Sequence, residues 1–333
     1  AAGMFLFLGD CTKNPLARFW GSAIFGLTSC VPLHTMMGHS SMVCITFLPW
    51  LLYFERRLTR SCRNALLLGL FAGMMLNQSL HYLALINCIM LVLFGLIGFI
   101  DDYEKAIKKN NAGISPKQKL VLQFVFSGAF AVYAYANSGF GTVAGSAVWI
   151  PIADRYIDFG ILYIPFVFFV MIAFSNAVNL TDGLDGLASG VTALVAFCMV
   201  ILGVGAYPML TAAPVVYGAV AGACLGFLMY NRNPARIFMG DTGSMALGGV
   251  LAAAAILLKM EFLVAIAGFL YVLEALSVII QVAYFKKTKK RFFKMAPIHH
   301  HFELCGMKEK NVVYLFWGMT LIFCMLAILI ANL

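Results

Sequence analysis

The sequence predicts an all-α, polytopic integral membrane protein of about ten transmembrane helices, and three observations carry that reading. Hydrophobic residues fill 62% of the 333 positions and charged residues only 11%, against about 45–50% and about 25% in a soluble domain. The mean hydropathy is +0.91. The apolar residues also fall in runs that can cross a bilayer, which takes roughly 20 residues per helix. A water-soluble globule, a disordered chain and a disulfide-stapled secreted fold are excluded. Helices follow because an open sheet edge stays unsatisfied in lipid.

Read back from the C-terminal end, spans fall at about 312–331, 262–285, 245–258, 211–230, 187–206, 159–175, 119–136, 80–100 and 64–78. Shorter candidates lie at 41–54, which contains Pro49, and at 19–33, so the count is ten or eleven. The weakly apolar stretch 137–158, with Gly139, Gly141 and Gly145, reads as an outer loop lying on the membrane surface. The nine cysteines form no Cys-x-x-Cys pair and read as small buried apolar residues. The opening Ala1-Ala2-Gly3 has neither a Met nor a cleavable signal pattern, which suggests either trimming or an expression remnant.

The net charge of +9 would suggest nucleic acid in a soluble protein. Here it reads as the positive-inside bias, and no nucleic-acid partner is expected. Arg56, Arg57, Arg60 and Arg63 share one loop, and Lys105, Lys108, Lys109, Lys117 and Lys119 fall in or border a second. Arg232 and Arg236 sit in a third, and a fourth runs from Lys286 to Lys310. These are alternate loops and therefore lie on one side, the cytoplasmic one. The opposite loops hold little beyond Arg155 with Asp154 and Asp158, and Lys259 with Glu261.

Five aspartates meet the membrane at that same cytoplasmic face. Asp101 and Asp102 end the 80–100 span, Asp182 and Asp185 precede the 187–206 span, and Asp241 precedes the 245–258 span. A transporter would put its ionisable groups near the midplane, where only Glu274 sits. Pairing with a neighbouring helix is the expected role of Glu274. An adjacent Asp pair can be a mere helix stop, and acids in a first turn can serve the helix dipole. The Asn176-Ala-Val-Asn179-Leu-Thr-Asp182-Gly-Leu-Asp185-Gly stretch is denser in polar residues than a cap requires. Its spacing puts Asp182 and Asp185 on one face if it is helical.

The loop from Asn231 through Phe238, Gly240 and Asp241 to Ser244 combines glycines for close backbone approach with a helix start suited to phosphate. His299, His300 and His301 lie together in a basic loop. Adjacent histidines suit zinc poorly and an affinity tag does not belong in a chain interior, so a phosphate-binding or proton-handling cluster is expected. Acids, histidines and lysines on one membrane face describe a metal-dependent enzyme acting on phosphates, with a lipid substrate to explain the position.

Five motifs then occur in order: Gly-Phe-Ile-Asp101-Asp102-Tyr, Ser-Pro-Lys117-Gln-Lys119-Leu, Asn-Ala-Val-Asn-Leu-Thr-Asp182-Gly-Leu-Asp185-Gly-Leu-Ala, Gly240-Asp241-Thr-Gly-Ser and Ala-Pro-Ile-His-His-His. Together they resemble the bacterial phospho-N-acetylmuramoyl-pentapeptide transferases of the polyprenyl-phosphate N-acetylhexosamine-1-phosphate transferase superfamily. The resemblance runs from about Leu91 to Leu333, so the chain reads as a single membrane domain with 79–333 as its transferase core. Residues 1–78 depart from the family, whose first-loop Gly-Thr-Pro-Thr-Met-Gly-Gly survives only as a faint echo in Thr35-Met36-Met37-Gly38.

The resemblance implies transfer of phospho-MurNAc-pentapeptide from UDP-MurNAc-pentapeptide to undecaprenyl phosphate, yielding lipid I and UMP with Mg2+. The histidine triplet favours this branch over one using UDP-N-acetylglucosamine, and a lipid or nucleotide transporter is the rival from another class. By the same resemblance, Asp241 is the magnesium ligand and Asp101, with Asp102 beside it, positions the lipid phosphate or acts as base. Asp182 belongs to the network around the metal and diphosphate. Lys105 and Lys117 neutralise phosphates, while Asn179, Asp185, Asn231 and Phe238 hold the uridine. Asn176, Gly240 and Gln281 complete the substrate contacts, and His299, His300 and His301 act on sugar or phosphate. The implied setting is the bacterial inner membrane, with membrane lipid around a homodimer and nucleoside antibiotics as inhibitors.

Overall fold

The structure is a computed structural model that describes residues 81–106, 113–139, 142–205 and 213–332. The candidate spans at 19–33, 41–54 and 64–78, the Thr35–Gly38 echo, the Arg56–Arg63 loop and Lys108–Lys109 lie outside the described residues. The chain divides into two units, Ala1–Ile86 and Asn87–Leu333, and nearly everything described belongs to the second.

Eight described helices are long and apolar enough to cross a membrane, one for each span read from the sequence in that region. They are α1 (His81–Ala106), α2 (Pro116–Asn137), α3 (Tyr163–Thr181), α4 (Leu187–Gly205), α5 (Ala213–Asn231), α6 (Gly240–Leu257), α8 (Phe269–Thr288) and α10 (Glu309–Ala331). Two seven-residue helices, α7 (Glu261–Ala267) and α9 (Ile298–Leu304), complete the set. The run read as one span at 262–285 is broken at Gly268 into α7 and α8. Glu274, on α8, is completely buried.

The outer loop carries the only strands among the described residues. Strands β1 (Ala147–Ile150) and β2 (Arg155–Asp158) pair antiparallel, with Val148 opposite Ile157. An isolated hairpin cannot sit in hydrocarbon, and this one lies between the outer ends of α2 and α3. Three of the five described cysteines, Cys198, Cys224 and Cys324, are buried as read; Cys88 and Cys305 are exposed instead.

Helix α3 is central, packing against α2, α6 and α8, while α4 packs against α5 and α10. Small residues let the backbones close up, as is usual where no hydrophobic drive separates lipid from protein. A methyl group at Gly98 of α1 would overlap the Asp241 carbonyl at the start of α6. That approach brings the Asp101-Asp102 end of α1 onto the N-terminus of α6.

Different side chains meet at the two ends of the bundle. The cytoplasmic end gathers residues from the ends of α1, α2, α3 and α6. The outer end gathers others around Lys259, whose Nζ donates to Ser138 Oγ at 2.8 Å, Gly145 O at 2.6 Å and Tyr163 OH at 3.0 Å. Of the outer-loop charges, Lys259 and Glu261 are buried here as a clasp, while Asp154, Arg155 and Asp158 stay exposed.

Candidate active site

Asp241 is the hub of the cytoplasmic cluster. Its Oδ2 accepts from Lys105 Nζ at 2.9 Å and Lys119 Nζ at 3.4 Å, and its Oδ1 from Asn179 Nδ2 at 2.7 Å. Lys105 also contacts Asp101 Oδ2 at 2.6 Å, so one ammonium bridges two carboxylates from α1 and α6. The second Asp101 oxygen accepts from Ile114 N at 2.8 Å, just ahead of α2. Helix α2 starts sharply there because Ser115 and Gln118 form a capping box with Pro116 in the first turn. That start aims Lys119 at Asp241. Lys117 is exposed and has no ion pair among the described residues.

Asp102 points at the backbone of α6. Its carboxylate accepts from Thr242 N at 2.9 Å, Thr242 Oγ1 at 2.6 Å and Asp241 N at 3.2 Å. It therefore caps α6 from another helix, satisfying free N–H groups and the positive end of the dipole. Asn179 links Asp241 to Ser244 Oγ at 2.9 Å. Asn176, one turn earlier, bonds instead to Gln123 Oε1 at 3.1 Å and Ile172 O at 2.8 Å.

Residues 182–186 form a turn rather than a helix, so Asp182 and Asp185 do not share a helical face. Asp182 ends α3; burial first, then the nearby charges of Asp241 and Asp102, push its carboxyl up to about 7. Asp185 Oδ2 accepts from Asn233 Nδ2 at 3.1 Å and Ala235 N at 2.9 Å. Asn231 ties the two loops together, accepting from Gly186 N and Ser189 Oγ and donating to Ile237 O at 3.0 Å. Between the loops lies a cavity of about 220 Å³ bordered by Asp182, Asp185, Asn231, Phe238, Gly240 and Asp241. Phe238 is 74% exposed at its rim, and Gly240 there has a φ of +66° that a side chain would strain.

The histidines divide. His299 is completely buried, its Nδ1 lies 3.0 Å from Glu274 Oε1, and its Nε2 has no hydrogen-bond partner. That free edge faces Gly183, where any Cβ would overlap the ring. His300 lies tilted beside it, with ring centroids 4.2 Å apart and planes at 56°, and pairs with Glu303 at 2.7 Å. His301 turns away, accepting from Lys294 N at 3.2 Å and packing on Phe293. Gln281 holds the same loop through Phe292 N at 3.1 Å and Phe293 N at 2.8 Å.

The structure thus gathers Asp101, Asp102, Lys105, Asn179, Asp182 and Asp241 in one cluster, with Asp185, Asn231, Phe238 and Gly240 around the adjoining cavity. Asn176, Gln281, His301 and Lys117 stand apart. Lys119 is the cluster member that residue reasoning passed over; its place two residues after Lys117 in a capped first turn was the available signal. Among the described residues no group of three His, Cys, Asp or Glu side chains is set as a ready metal cage.

A bundle of apolar helices with acids, lysines and a histidine around a cytoplasmic cavity defines a membrane-embedded transferase for phosphate-bearing substrates. The profile of the family described as Glycosyl transferase family 4 matches residues 83–259. Curated relatives named phospho-N-acetylmuramoyl-pentapeptide-transferase include that of Caldicellulosiruptor bescii, 48% identical over 73% of this chain and 73% of its own. That of Clostridioides difficile is 49% identical over 71% and 72%, and that of Bacillus thuringiensis 49% over 75% and 76%. The chain belongs to the phospho-N-acetylmuramoyl-pentapeptide transferases of glycosyl transferase family 4.

Proposed function

We propose that the chain transfers phospho-MurNAc-pentapeptide from its UDP carrier to undecaprenyl phosphate, forming lipid I and UMP for peptidoglycan synthesis in the bacterial cytoplasmic membrane. The observation that carries the site assignment is the Asp241 carboxylate held by Lys105, Lys119 and Asn179 at the edge of the Phe238 cavity. In the reaction an oxygen of the lipid phosphate attacks the sugar-linked phosphorus of the donor. The new P–O bond forms as the bond to the UMP oxygen breaks, and UMP departs with the electron pair. The protein must therefore hold two anions in line and shield their charge.

Lys105 and Lys119 supply positive charge where the phosphates meet. Asp101, fixed by Lys105 and Ile114 N, orients the acceptor phosphate at the end of α1. Asp102 sets the start of α6 and through it the direction of Asp241. The exposed Phe238 ring offers a stacking face to uracil, while Asp185 and Asn231 shape the loop around it. His299 and His300 face the sugar-phosphate side, and Asn176, Gln281 and His301 support the elements that carry the contacts.

The donor set fits magnesium. The oxygens of Asp241 and Asp182 are hard ligands, and this cation commonly takes one or two carboxylates together with substrate phosphates. The Asp182 carboxyl is raised first by burial and then by the charges of Asp241 and Asp102, and a cation would relieve the second of these. Asp241 would hold the ion, which when bound neutralises developing charge on the diphosphate. The reading includes a homodimer, checked by cross-linking in the membrane, and competition by nucleoside antibiotics for the Phe238 cavity.

The deciding assay measures UMP release by purified protein with magnesium. Release is expected from UDP-MurNAc-pentapeptide only when undecaprenyl phosphate is present, and far less from UDP-N-acetylglucosamine. Asp241→Asn should abolish the magnesium-dependent rate with the melting temperature retained. Acceptor-independent release, equal use of both donors, or full turnover by the variant would overturn the corresponding part.

A further inference from the structure

A second and larger cleft, of about 700 Å³, opens between the C-terminal end of α5 and the N-terminal end of α10. Its cytoplasmic rim carries Arg232, Arg236 and Lys310, all exposed and without a side-chain ion pair among the described residues. Two acids lie beside it: Asp185 borders the cleft and Glu309 precedes Lys310, and both accept from Asn233 Nδ2, at 3.1 Å and 2.9 Å. Below the rim the lining turns apolar and aromatic, with Met229 65% and Tyr314 62% exposed on the outward helix faces. Trp317 lies deeper, its indole Nε1 buried and without a hydrogen-bond partner.

We infer that this cleft binds an anionic glycerophospholipid of the cytoplasmic leaflet, its phosphate on Arg232, Arg236 and Lys310 and an acyl chain along Met229, Tyr314 and Trp317. Three unpaired cations over an apolar slot match a lipid with a charged head and hydrocarbon tail. Basic pockets between spans on the cytoplasmic side take such headgroups, and aromatic side chains settle at headgroup depth. A zwitterionic lipid brings a cation of its own against the three basic groups and fits less well. The acceptor lipid phosphate is disfavoured by position, because Asp101, Lys105 and Asp241 do not border the cleft, which meets the Phe238 cavity only at Asp185. The inference does not depend on the reaction assigned to that cavity.

The test uses the full chain in neutral detergent, with phosphatidylglycerol and phosphatidylcholine brominated in their acyl chains to quench Trp317. The Trp317 signal is the difference between the native protein and Trp317→Phe. Phosphatidylglycerol should quench it at a concentration about tenfold lower than phosphatidylcholine, given the attraction of each basic residue for an anionic lipid. The R232Q/R236Q/K310Q variant should lose that preference, and R232K/R236K should keep it. Equal quenching by the two lipids in the native protein overturns the inference, whatever the folding of the variants. So does an undiminished preference in the glutamine variant. Displacement of bound phosphatidylglycerol by stoichiometric undecaprenyl phosphate also overturns it, assigning the cleft to the acceptor.

Discussion

His299 and Glu274 form a completely buried pair, with Nδ1 and Oε1 3.0 Å apart, joining the short helix α9 to the N-terminal half of α8. A mid-span acid is costly in a membrane unless it has a partner, and this histidine is that partner. With Nδ1 held against Glu274, the ring presents its Nε2 edge to the Asp182-Gly183 turn. Through His299, Glu274 is linked to Gly183, which borders the cavity. Glu274→Gln, which no longer fixes the ring in that state, should lower turnover by roughly tenfold to a hundredfold, with a smaller change in the donor KM. Glu274→Ala should also lower the melting temperature. Native turnover in the glutamine variant would reduce the pair to packing.

Lys119 and Lys117 provide a sharp contrast within one turn. Only Lys119 reaches Asp241, while Lys117 is exposed. Lys119→Met should reduce the rate of UMP release by about tenfold or more, as expected for a cation placed where charge develops. Lys117→Met should stay close to native. The reverse order would mean that substrate binding rotates the start of α2.

Asp102 and Thr242 test whether the α6 cap aims Asp241. Asp102→Ala removes acceptors from Thr242 N and Oγ1 and from Asp241 N, which should cost about 0.5–2 kcal/mol of stability. Turnover should fall further than that loss of folded protein accounts for. Asp102→Asn retains one acceptor oxygen and should keep more of both. Thermal melts and rates on the same samples separate the two effects.

The sequence revealed most where a single stretch contained the whole signal. Apolar runs located all eight described spans, and the grouping of Asp101, Asp182 and Asp241 at one face followed from where those runs end. It revealed least where partners are far apart in the chain. Nothing local marks Asp102 as the cap of a helix starting at Gly240, or Lys119 rather than Lys117 as the partner of Asp241. The four-residue strands β1 and β2 are too short to declare an alternating pattern, and Gly268 breaks a run whose hydropathy is continuous. Glu274 is intermediate: its need for a partner was legible, and the identity of that partner, twenty-five residues on in His299, required the fold.

The outer clasp should give stability a distinctive pH dependence. Glu261 is 3% exposed at the start of α7, neither of its carboxylate oxygens has a hydrogen-bond partner, and burial pushes its carboxyl up to about 8. Lys259 is equally enclosed, and burial brings its ammonium down to about 8. Between the ordinary glutamate value of 4.5 and about 8, the folded chain keeps a proton that the unfolded chain has released. Stability therefore falls as pH rises through that window. From about 8 to the ordinary lysine value of 10.5 the unfolded chain holds the extra proton, so stability recovers. A minimum near pH 8 follows for the protein in detergent. Glu261→Gln removes the larger share of the falling limb and leaves the part that Asp182, pushed up to about 7, contributes, so its melting temperature should fall less steeply across the acidic window and exceed the native value near the minimum. A decline in the variant as steep as in the native protein would place the responsible proton on another group.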